Sequence, residues 1–407
     1  MLTEYYANYA ESLQCSSLRI DMFPKNDRQA QLLNTANNLA KEFEKTAAEY
    51  DRNGTFPFDN YVMLENTGYT SAAIPTEEGG GGHTLTDIVL AQLALAKGDG
   101  STALGIGMHL VTTGTETYNK SWPKELRKKV FSDVVQHGSL INSLAAEPMM
   151  GSPRTGGQPE TSLVPKDEGV WELNGRKIFS TLAPVLTYFI TYCTVDDGSG
   201  DVARVIVDKN RSGVKIDPTW DSIGMRSTGS HDVVFENVIV KKDDFISQRS
   251  LAENTTAMSS GGAWLPLLIG AANLGIAESS RDYIIEYVRN RNPGGKSFLK
   301  DIPYIREQIG RIDTKLIVAR NTLLNSAQDW DDYPSERENL QSHIYAAKLL
   351  TTNTAIEIVD ICMRMAGGEA LYKSLPLERH FRDVRGGIVN PPIEARALEF
   401  IAKLALE

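Results

Sequence analysis

Residues 366–383 read AGGEALYKSLPLERHFRD, and this stretch separates one helical pattern from the next. Gly367-Gly368 directly follows an amphipathic segment, and the charged run after Pro376 ends with Arg382-Asp383. Because glycine has no Cβ, paired glycines allow backbone N–H groups to approach a pyrophosphate closely. Taken alone, the same pair is more typical of a helix C-cap. The patterns on the rest of the chain decide between these two interpretations.

The chain around this stretch, from about residue 250 to the end, has helical periodicity. Apolar side chains recur at intervals of three and four along two segments. These are Ile305, Ile309, Ile312, Leu316, Ala319 and Leu323, then Ile344, Ala347, Thr351, Ala355, Ile358 and Cys362. The nearly apolar run 263–277 is shorter than the roughly 18 to 20 residues that a membrane span requires, so it predicts a buried helix. Several long helices with short links predict a bundle over residues 251–407.

Between residues 139 and 250 the apolar period changes from helical to alternating, which is typical of strands. Strands are predicted at 188–195, 203–207 and 233–240. The dipeptide Asn174-Gly175, flanked by apolar residues, predicts a β-hairpin. The number of strands and their short connections predict a compact antiparallel barrel or sandwich.

The first third of the chain, residues 1–138, again has helical spacing. One face carries Leu32, Leu33, Ala36, Leu39, Ala40, Phe43 and Ala47. Gly54, Pro57 and Pro75 place loops between successive helices. The predicted fold class is therefore α+β and mainly α, with a helical domain at 1–138, a β domain at 139–250 and a helical bundle at 251–407.

The composition of the 407 residues, with 42 basic and 52 acidic side chains, gives a formal net charge of −10. No Lys/Arg cluster is dense enough to neutralise a row of phosphates, which argues against nucleic acid or an anionic membrane as a partner. Residues 1–14 lack the basic and apolar runs of a leader, so we expect a cytoplasmic protein. The three cysteines are far apart and the histidines have no metal-binding spacing, so neither a disulfide nor a metal is predicted.

Five other segments carry ordered motifs. They are GYTSAAIP at 68–75, AAEPMMGS at 145–152, LNGRKIFST at 173–181, IGMRSTGS at 223–230 and RNPGGK at 291–296. Together with residues 366–383 they resemble the acyl-CoA dehydrogenase superfamily of flavoproteins, over nearly the whole chain. The resemblance implies a helical domain, a β-barrel domain and a four-helix bundle. It also implies FAD, with FMN as the alternative, and a homotetramer or dimer of dimers.

The resemblance assigns flavin contacts to residues of the β domain. Segment 145–152 edges the flavin ring in that family, and Ala146 stands at a threonine position, so one side-chain hydrogen bond to the ring is missing. Ser152 lies at a position that contacts the flavin and the thioester side of the substrate. By position, Phe179 stacks beside the ring, Thr181 approaches N5, and Ser180 lies between them.

A second group of contacts falls in the bundle. Arg291 matches the arginine that reaches the FAD pyrophosphate of a neighbouring subunit, and Gly367 and Gly368 match its paired glycines. The phenylalanine of that arginine motif is Gly294 here, and Ile302-Pro303 replaces a glutamine. Six ordered motifs favour the pyrophosphate interpretation of the glycines over the helix cap.

The chain departs from the family at the catalytic base, the glutamate that removes the substrate α-proton. Pro391 occupies the usual glutamate position, and Leu265 or a close neighbour occupies the alternative one. Because losing a general base costs about 10² to 10⁴ in rate, another residue is the base or the reaction needs none. We name His109 and Asn390 as candidate catalytic residues, while His109 could equally be a core histidine with satisfied hydrogen bonds.

Three functions therefore remain open. The first is a flavin-dependent α,β-dehydrogenation of an acyl-CoA thioester with a displaced base, served by an electron-transfer flavoprotein. The second is a two-component monooxygenase or oxidase of the same fold, which uses O₂ and reduced flavin from a reductase on a small molecule. The third is a non-catalytic scaffold. A fold alone does not choose among them.

Overall fold

The computed structural model of the protein describes residues 24–149, 157–254 and 262–406. Its N-terminal part is helical, with α1 (Asp27–Asn53), α2 (Phe58–Asn66), α3 (Leu85–Gly98), α4 (Gly100–Asn119) and α5 (Lys124–His137). α1 begins after Asn26, whose side chain accepts a hydrogen bond from the Gln29 N–H, and it ends at Gly54 with φ of 63°. The apolar stripe predicted for this helix is buried.

In the described residues, the middle part of the chain forms one sheet of eight strands. The strands are β1 (Leu140–Leu144), β2 (Ser162–Asp167), β3 (Val170–Lys177), β4 (Leu186–Val195), β5 (Asp201–Asp208), β6 (Val214–Asp217), β7 (Asp232–Lys241) and β8 (Phe245–Ser250). Their order is β6-β7-β3-β2-β4-β5-β8, and β1 pairs with β4. The sheet is mixed rather than purely antiparallel, because β4 pairs in parallel with both β1 and β2.

The hairpin predicted at Asn174-Gly175 is wrong. β3 continues through this dipeptide, and its pairing with β7 shifts register between Leu173 and Gly175, where β7 has one residue more than β3. Gly175 has φ of 148°, and a Cβ there would lie 2.5 Å from the Thr161 hydroxyl oxygen, so only glycine fits. The tight connection lies instead at residues 168–169, between β2 and β3.

The C-terminal part is helical, with α6 (Trp264–Asn290), α7 (Pro303–Asp332), α8 (Gln341–Ala366), α9 (Pro376–Asp383), α10 (Arg385–Val389) and α11 (Glu394–Leu406). α6 packs against α7 and α8 of the bundle and also against α3 and α4. One apolar core contains residues from all three parts of the chain. The α+β, mainly α fold class is confirmed, whereas the limits of independently folding domains stay a prediction.

Charged side chains join the three parts at one corner of the molecule. Arg382 forms two hydrogen bonds with the Asp51 carboxylate of α1, at 2.9 and 2.6 Å. The neighbouring Asp383 is buried and accepts the Met225 N–H at 2.6 Å, and the Arg226 side chain donates to the Asp51 carbonyl. The loop 223–230 of the sheet is thereby fixed to both helical parts.

Candidate functional site

Two loops of the middle part form a rigid surface beside the sheet. Segment 178–183 donates backbone hydrogen bonds to segment 225–231, from Ser180 to the His231 carbonyl and from Leu182 to the Thr228 carbonyl, both at 3.1 Å. Phe179, Leu182 and Met225 all have φ between 53° and 72°, although none is glycine. Non-glycine residues held in this region cost about 1 to 3 kcal/mol each and cluster at functional sites. This strain marks the surface as a candidate cofactor site.

The most exposed feature of this surface is the ring of Phe179, whose residue is 62% exposed. It meets the Trp220 ring edge to face, with centroids 6.1 Å apart. The adjacent Ile178 N–H donates to the Ala146 carbonyl at 3.0 Å, so Ala146 is hydrogen-bonded to the residue that precedes Phe179. The structure thus brings these two predicted flavin contacts together.

Hydroxyl groups lie beneath the same surface, where Thr228 and Ser230 are buried and Thr181 is partly exposed. Thr181 Oγ1 lies 2.9 Å from Ser230 Oγ, which in turn lies 2.8 Å from Thr228 Oγ1. The Asn142 side chain donates to the Thr181 carbonyl at 3.0 Å. Within the described residues, the buried Ser180 Oγ has no hydrogen-bond partner. An exposed aromatic ring and a partly exposed threonine hydroxyl fit the edge of a polar, planar ring such as a flavin.

A buried ion pair fixes the segment that carries Ala146. Lys177 Nζ donates to the Glu147 carboxylate at 2.6 Å and to the Tyr192 carbonyl, and both side chains are at most 1% exposed. Burial lowers the pKa of Lys177, opposed by the Glu147 charge. Burial would raise the pKa of Glu147, but the Lys177 charge and hydrogen bonds hold it below its ordinary value.

The same carboxylate also holds the chain that follows. Glu147 accepts the Glu160 N–H at 2.7 Å and the Thr161 N–H at 3.0 Å. The predicted contact Ser152 falls between these two anchored stretches and lies outside the described residues. Its role stays a prediction.

Arg291 and the paired glycines meet at another corner, at the end of α6. The Arg291 guanidinium forms an ion pair with Glu369 and lies 5.1 Å from the centre of the Tyr287 ring. The Tyr287 hydroxyl donates to Glu369 Oε2 at 3.1 Å. Gly367 caps α8, because its N–H donates to carbonyls of the last helical turn. It has φ of 66° and ψ of −146°, a conformation that is nearly exclusive to glycine.

His109 lies on α4 with both ring nitrogens in use. Nδ1 accepts the Ile141 N–H at 3.1 Å, and Nε2 lies 2.8 Å from the Thr70 carbonyl, to which it donates. The side chain is fully buried, and burial lowers its pKa to about 4. This neutral ring links α4 to β1, and the geometry favours the core-histidine interpretation. A catalytic role stays a prediction without geometric support.

A lysine side chain fixes the backbone on both sides of Pro391, which occupies the usual glutamate position. Lys348 of α8 is fully buried, and its Nζ donates to the carbonyls of Asn390 at 3.0 Å and Pro392 at 2.9 Å, on either side of Pro391. Burial lowers the pKa of Lys348 to about 8. The Asn390 side chain donates to the Gly386 carbonyl at 2.9 Å, so it closes α10. Leu265, near the other glutamate position, is partly buried and packs against the core.

Sequence reasoning missed two lysines of this site, Lys177 and Lys348. Lys177 stood within a quoted motif, and it lies four residues after buried Leu173 on β3, so both side chains are on the same face of the strand. Lys348 lies on the apolar stripe of α8, between Ile344 and Thr351, which is the corresponding signal on a helix. Neither signal identifies the groups to which these lysines donate hydrogen bonds.

In the described ranges, no group of three or more histidine, cysteine, aspartate or glutamate residues is arranged to hold a metal ion. Of the helices in those ranges, none is long and apolar enough to cross a membrane.

The chain matches profiles of three acyl-CoA dehydrogenase domains. The N-terminal domain matches residues 26–136, the middle domain 143–238 and the C-terminal domain 267–388. The chain is 36% identical to YdbM of Bacillus subtilis (strain 168), which is named as an acyl-CoA dehydrogenase, over 95% of this chain and 100% of YdbM.

Other relatives have different names. L-evernosamine nitrososynthase of a Micromonospora species is 29% identical, over 88% of this chain and 86% of that enzyme. The X-ray structure of KijD3 in complex with FMN and dTDP-3-amino-2,3,6-trideoxy-4-keto-3-methyl-D-glucose is 27% identical. Its TM-score is 0.84, and the match covers 94% of this chain and 95% of KijD3.

Proposed function

The chain belongs to the acyl-CoA dehydrogenase family, and within that family we propose that it is a flavin-dependent monooxygenase acting on a small molecule. The coarser assignment, a flavin-dependent oxidoreductase, follows from the family and from the names of its relatives. The finer one rests on the residues around Pro391.

The observation that carries the proposal is the chemistry at the two glutamate positions. Pro391 has no ionisable group, and the carbonyls beside it receive hydrogen bonds from the Lys348 ammonium. Leu265, near the second position, is also unable to take a proton. A dehydrogenase needs a base to remove an acidic α-proton, whereas oxygenation of a nucleophilic atom does not.

The flavin, when bound in its reduced form, supplies two electrons for the activation of O₂. One oxygen atom enters the substrate and the other leaves as water. The residues of this chain would hold the ring at Phe179 and Ala146 and offer a hydrogen bond from Thr181, the partly exposed end of the Thr181–Ser230–Thr228 hydroxyl chain. The buried Lys177–Glu147 pair keeps that surface in shape without taking part in the reaction.

We infer an amine-bearing substrate, because of two relatives. One is named a nitrososynthase, and KijD3 was solved with an amino-sugar nucleotide and FMN. The proposed partner is a flavin reductase that supplies reduced flavin. A homotetramer and a cytoplasmic location stay predictions.

A second candidate is the α,β-dehydrogenation of an acyl-CoA. It is favoured by the 36% identity to YdbM, which carries that name. It requires a base that neither glutamate position provides. Lys348, whose pKa burial lowers to about 8, is an ionisable group in contact with the chain on both sides of Pro391.

The test separates the two functions by what happens to the flavin and to O₂. The protein is supplied with a flavin reductase, NADH and ¹⁸O₂ and offered a panel of amino sugars and small amines. A product heavier by ¹⁸O, and dependent on both O₂ and this protein, is the expected result. In parallel, the oxidised holoprotein is mixed anaerobically with acyl-CoA thioesters of several chain lengths, which should leave the visible flavin absorbance unchanged.

Loss of that absorbance with any acyl-CoA, together with no ¹⁸O incorporation, overturns the monooxygenase and supports the dehydrogenase. A Phe179→Ala variant tests the assigned surface, because it removes the exposed ring and should weaken flavin binding about tenfold or more. Phe298→Ala is its matched control, since Phe298 is also exposed, at 40%, but lies between α6 and α7.

A further inference from the structure

Three hydroxyl groups beneath the Phe179 surface form one continuous hydrogen-bonded chain that ends on a backbone carbonyl. Thr181 Oγ1 lies 2.9 Å from Ser230 Oγ, and Ser230 Oγ lies 2.8 Å from Thr228 Oγ1. Thr228 Oγ1 in turn lies 3.0 Å from the Met225 carbonyl oxygen. Ser230 and Thr228 are 5% and 1% exposed, so water does not compete for these contacts. Of the three hydroxyl residues, Thr181 at the outer end is the partly exposed one.

The number of hydrogens in this chain fixes the direction of every hydrogen bond. Each hydroxyl group has one hydrogen, and a carbonyl oxygen has none. The chain has three contacts between oxygen atoms at 2.8 to 3.0 Å, and each contact needs one hydrogen to be attractive. Thr228 must therefore donate to the Met225 carbonyl. Ser230 then donates to Thr228, and Thr181 donates to Ser230.

Backbone contacts hold the two loops that carry the chain in place. The Leu182 N–H donates to the Thr228 carbonyl at 3.1 Å, and the Asn142 side chain donates to the Thr181 carbonyl at 3.0 Å. Because its one hydrogen is used inside the chain, Thr181 Oγ1 presents lone pairs to the open side of the surface. A ligand atom that contacts this oxygen must therefore supply the hydrogen.

We propose that Ser230 and Thr228 are positioning residues that hold Thr181 as a hydrogen-bond acceptor, so that this surface binds reduced flavin in preference to oxidised flavin. N5 of the flavin ring carries a lone pair in the oxidised form and an N–H in the reduced form, whereas N3 carries an N–H in both. An acceptor facing N5 is repelled by the oxidised ring and accepts a hydrogen bond from the reduced one. The inference rests on the flavin surface of the proposed function and uses neither the amine substrate nor the oxygenation.

The experiment measures the two-electron midpoint potential of flavin bound to the full chain, by anaerobic equilibration with a reference dye. FAD is used first, and FMN in a parallel series. Fluorescence quenching gives the affinity for oxidised flavin, and the affinity for reduced flavin then follows from the thermodynamic cycle. The wild-type protein should bind reduced flavin at least about tenfold more tightly than oxidised flavin, which raises the midpoint potential by about 30 mV relative to free flavin.

Ser230→Ala removes the acceptor to which Thr181 donates, so the Thr181 hydrogen becomes free to face the ligand. Oxidised flavin should then bind about tenfold more tightly than it does to the wild type, and the midpoint potential should fall by about 30 mV. Thr228→Val should act in the same direction, because Ser230 loses its acceptor and turns its hydrogen toward Thr181. This second variant keeps the test available if Ser230→Ala does not fold.

Thr181→Val separates the hydroxyl itself from its direction. It removes the acceptor, so reduced flavin should bind about tenfold more weakly, while binding of oxidised flavin should change by less than about threefold. Ser326→Ala is the matched control, because Ser326 is a buried serine of α7 in the bundle. Its midpoint potential and both of its flavin affinities should equal those of the wild type.

Equal or tighter binding of oxidised flavin by the wild-type protein overturns the inference. A purely structural role of Ser230 would weaken both flavin forms together, so an unchanged midpoint potential in folded Ser230→Ala and Thr228→Val also overturns it. Because the potential is measured without substrate or O₂, its outcome is separate from that of the ¹⁸O experiment. A protein that prefers reduced flavin but oxygenates no amine would retain this inference and lose the proposed function.

Discussion

His109 is a candidate catalytic residue, and Lys348 donates a hydrogen bond to the carbonyl of the other candidate, Asn390. Both are fully buried, and burial lowers the pKa of each, to about 4 and about 8. His109 accepts one hydrogen bond and donates another, as a neutral ring should, whereas Lys348 only donates. Stability measurements can therefore distinguish structural roles from catalytic ones.

Replacing His109 with leucine should lower the free energy of unfolding by about 2 to 4 kcal/mol, because the Ile141 N–H and the Thr70 carbonyl lose their partner. The wild-type contribution also depends on pH. The folded pKa of about 4 lies below the ordinary value of 6.5, so the unfolded chain binds more protons between them. Stability should rise with pH from 4 to 6.5 relative to His109→Leu.

Denaturant titrations of both proteins at several pH values check this. Unchanged stability in His109→Leu, with activity lost, would identify a catalytic histidine and contradict the structural interpretation.

Lys348→Met should remove part of the dependence of the free energy of unfolding on pH, in the alkaline range. The folded pKa is about 8 against an ordinary 10.5, so the unfolded chain holds more protons in that window. The free energy of unfolding of the wild type should therefore rise relative to the variant from pH 8 to 10.5, by at most about 1.4 kcal/mol per pH unit.

Lys315→Met is the control, because Lys315 is partly exposed and pairs with exposed Glu357. Thermal unfolding at pH 7.5, 9 and 10 measures the difference. Parallel curves for wild type and Lys348→Met would show that the ammonium is not desolvated in the folded protein.

At the scale of elements, one buried charge pair joins β3 to the segment after β1, and the proposed flavin surface depends on it. β3 supplies Lys177, and the chain leaving β1 supplies Glu147. The pair matters for stability, because removing one partner of a buried ion pair leaves the other charge buried without a partner. The ion pair at Lys166 and Glu172 on β2 and β3 is exposed by comparison.

Lys177→Met should therefore lower the free energy of unfolding by about 3 to 5 kcal/mol and weaken flavin binding. Lys166→Met should change stability by less than about 1 kcal/mol and leave flavin binding as it is. Chemical denaturation and flavin titration of the two variants give the comparison. Equal effects in both would contradict the special role of the buried pair.

The sequence predicted the elements of this site better than their details. Runs of β-branched and aromatic residues located β4, β5 and β7, because such side chains favour strands. Strict alternation did not, since β4 and β5 are buried along most of their length. The Asn174-Gly175 prediction failed because Gly175 is needed for the close approach of β3 to Thr161 and not for a turn. Lys348 escaped notice because its partners, the Asn390 and Pro392 carbonyls, lie about 42 residues away along the chain, and only the packed bundle brings them together.

At the scale of the whole molecule, Asp383 joins the bundle to the sheet by accepting the Met225 N–H. Burial raises its pKa from 3.8 to about 7, partly opposed by Arg379. The folded protein therefore holds a proton that the unfolded chain has released between these pH values. Stability from this group is present below pH 3.8 and is lost as pH rises through about 7.

Asp383→Asn keeps an oxygen acceptor for Met225 and removes the ionisation. Relative to the wild type, the variant should gain about 1 to 3 kcal/mol of unfolding free energy at pH 8. The gain should vanish near pH 4. Denaturation at pH 4, 6 and 8 tests it, and a variant less stable than the wild type at pH 8 would mean that the charged carboxylate stabilises the junction.

The family resemblance also predicts a homotetramer. Side chains on the outer faces of the bundle are consistent with burial between copies, since Val318, Leu398 and Leu404 are each more than half exposed. Light scattering should give about four times the chain mass of 44.8 kDa. A mass equal to one chain would contradict the prediction.

The parallel pairing of β4 with β1 has a consequence for the order of folding. Residue 140 pairs with residue 186, so a loop of some forty residues must close before β1 has a partner. Contacts of such separation form slowly, whereas the hairpin of β2 and β3 closes locally. The segment carrying Ala146 and Glu147 leaves β1 directly, so we expect the cofactor surface to be among the last parts of the protein to become native. Newly made chains should acquire helices and hairpins before they can retain a flavin.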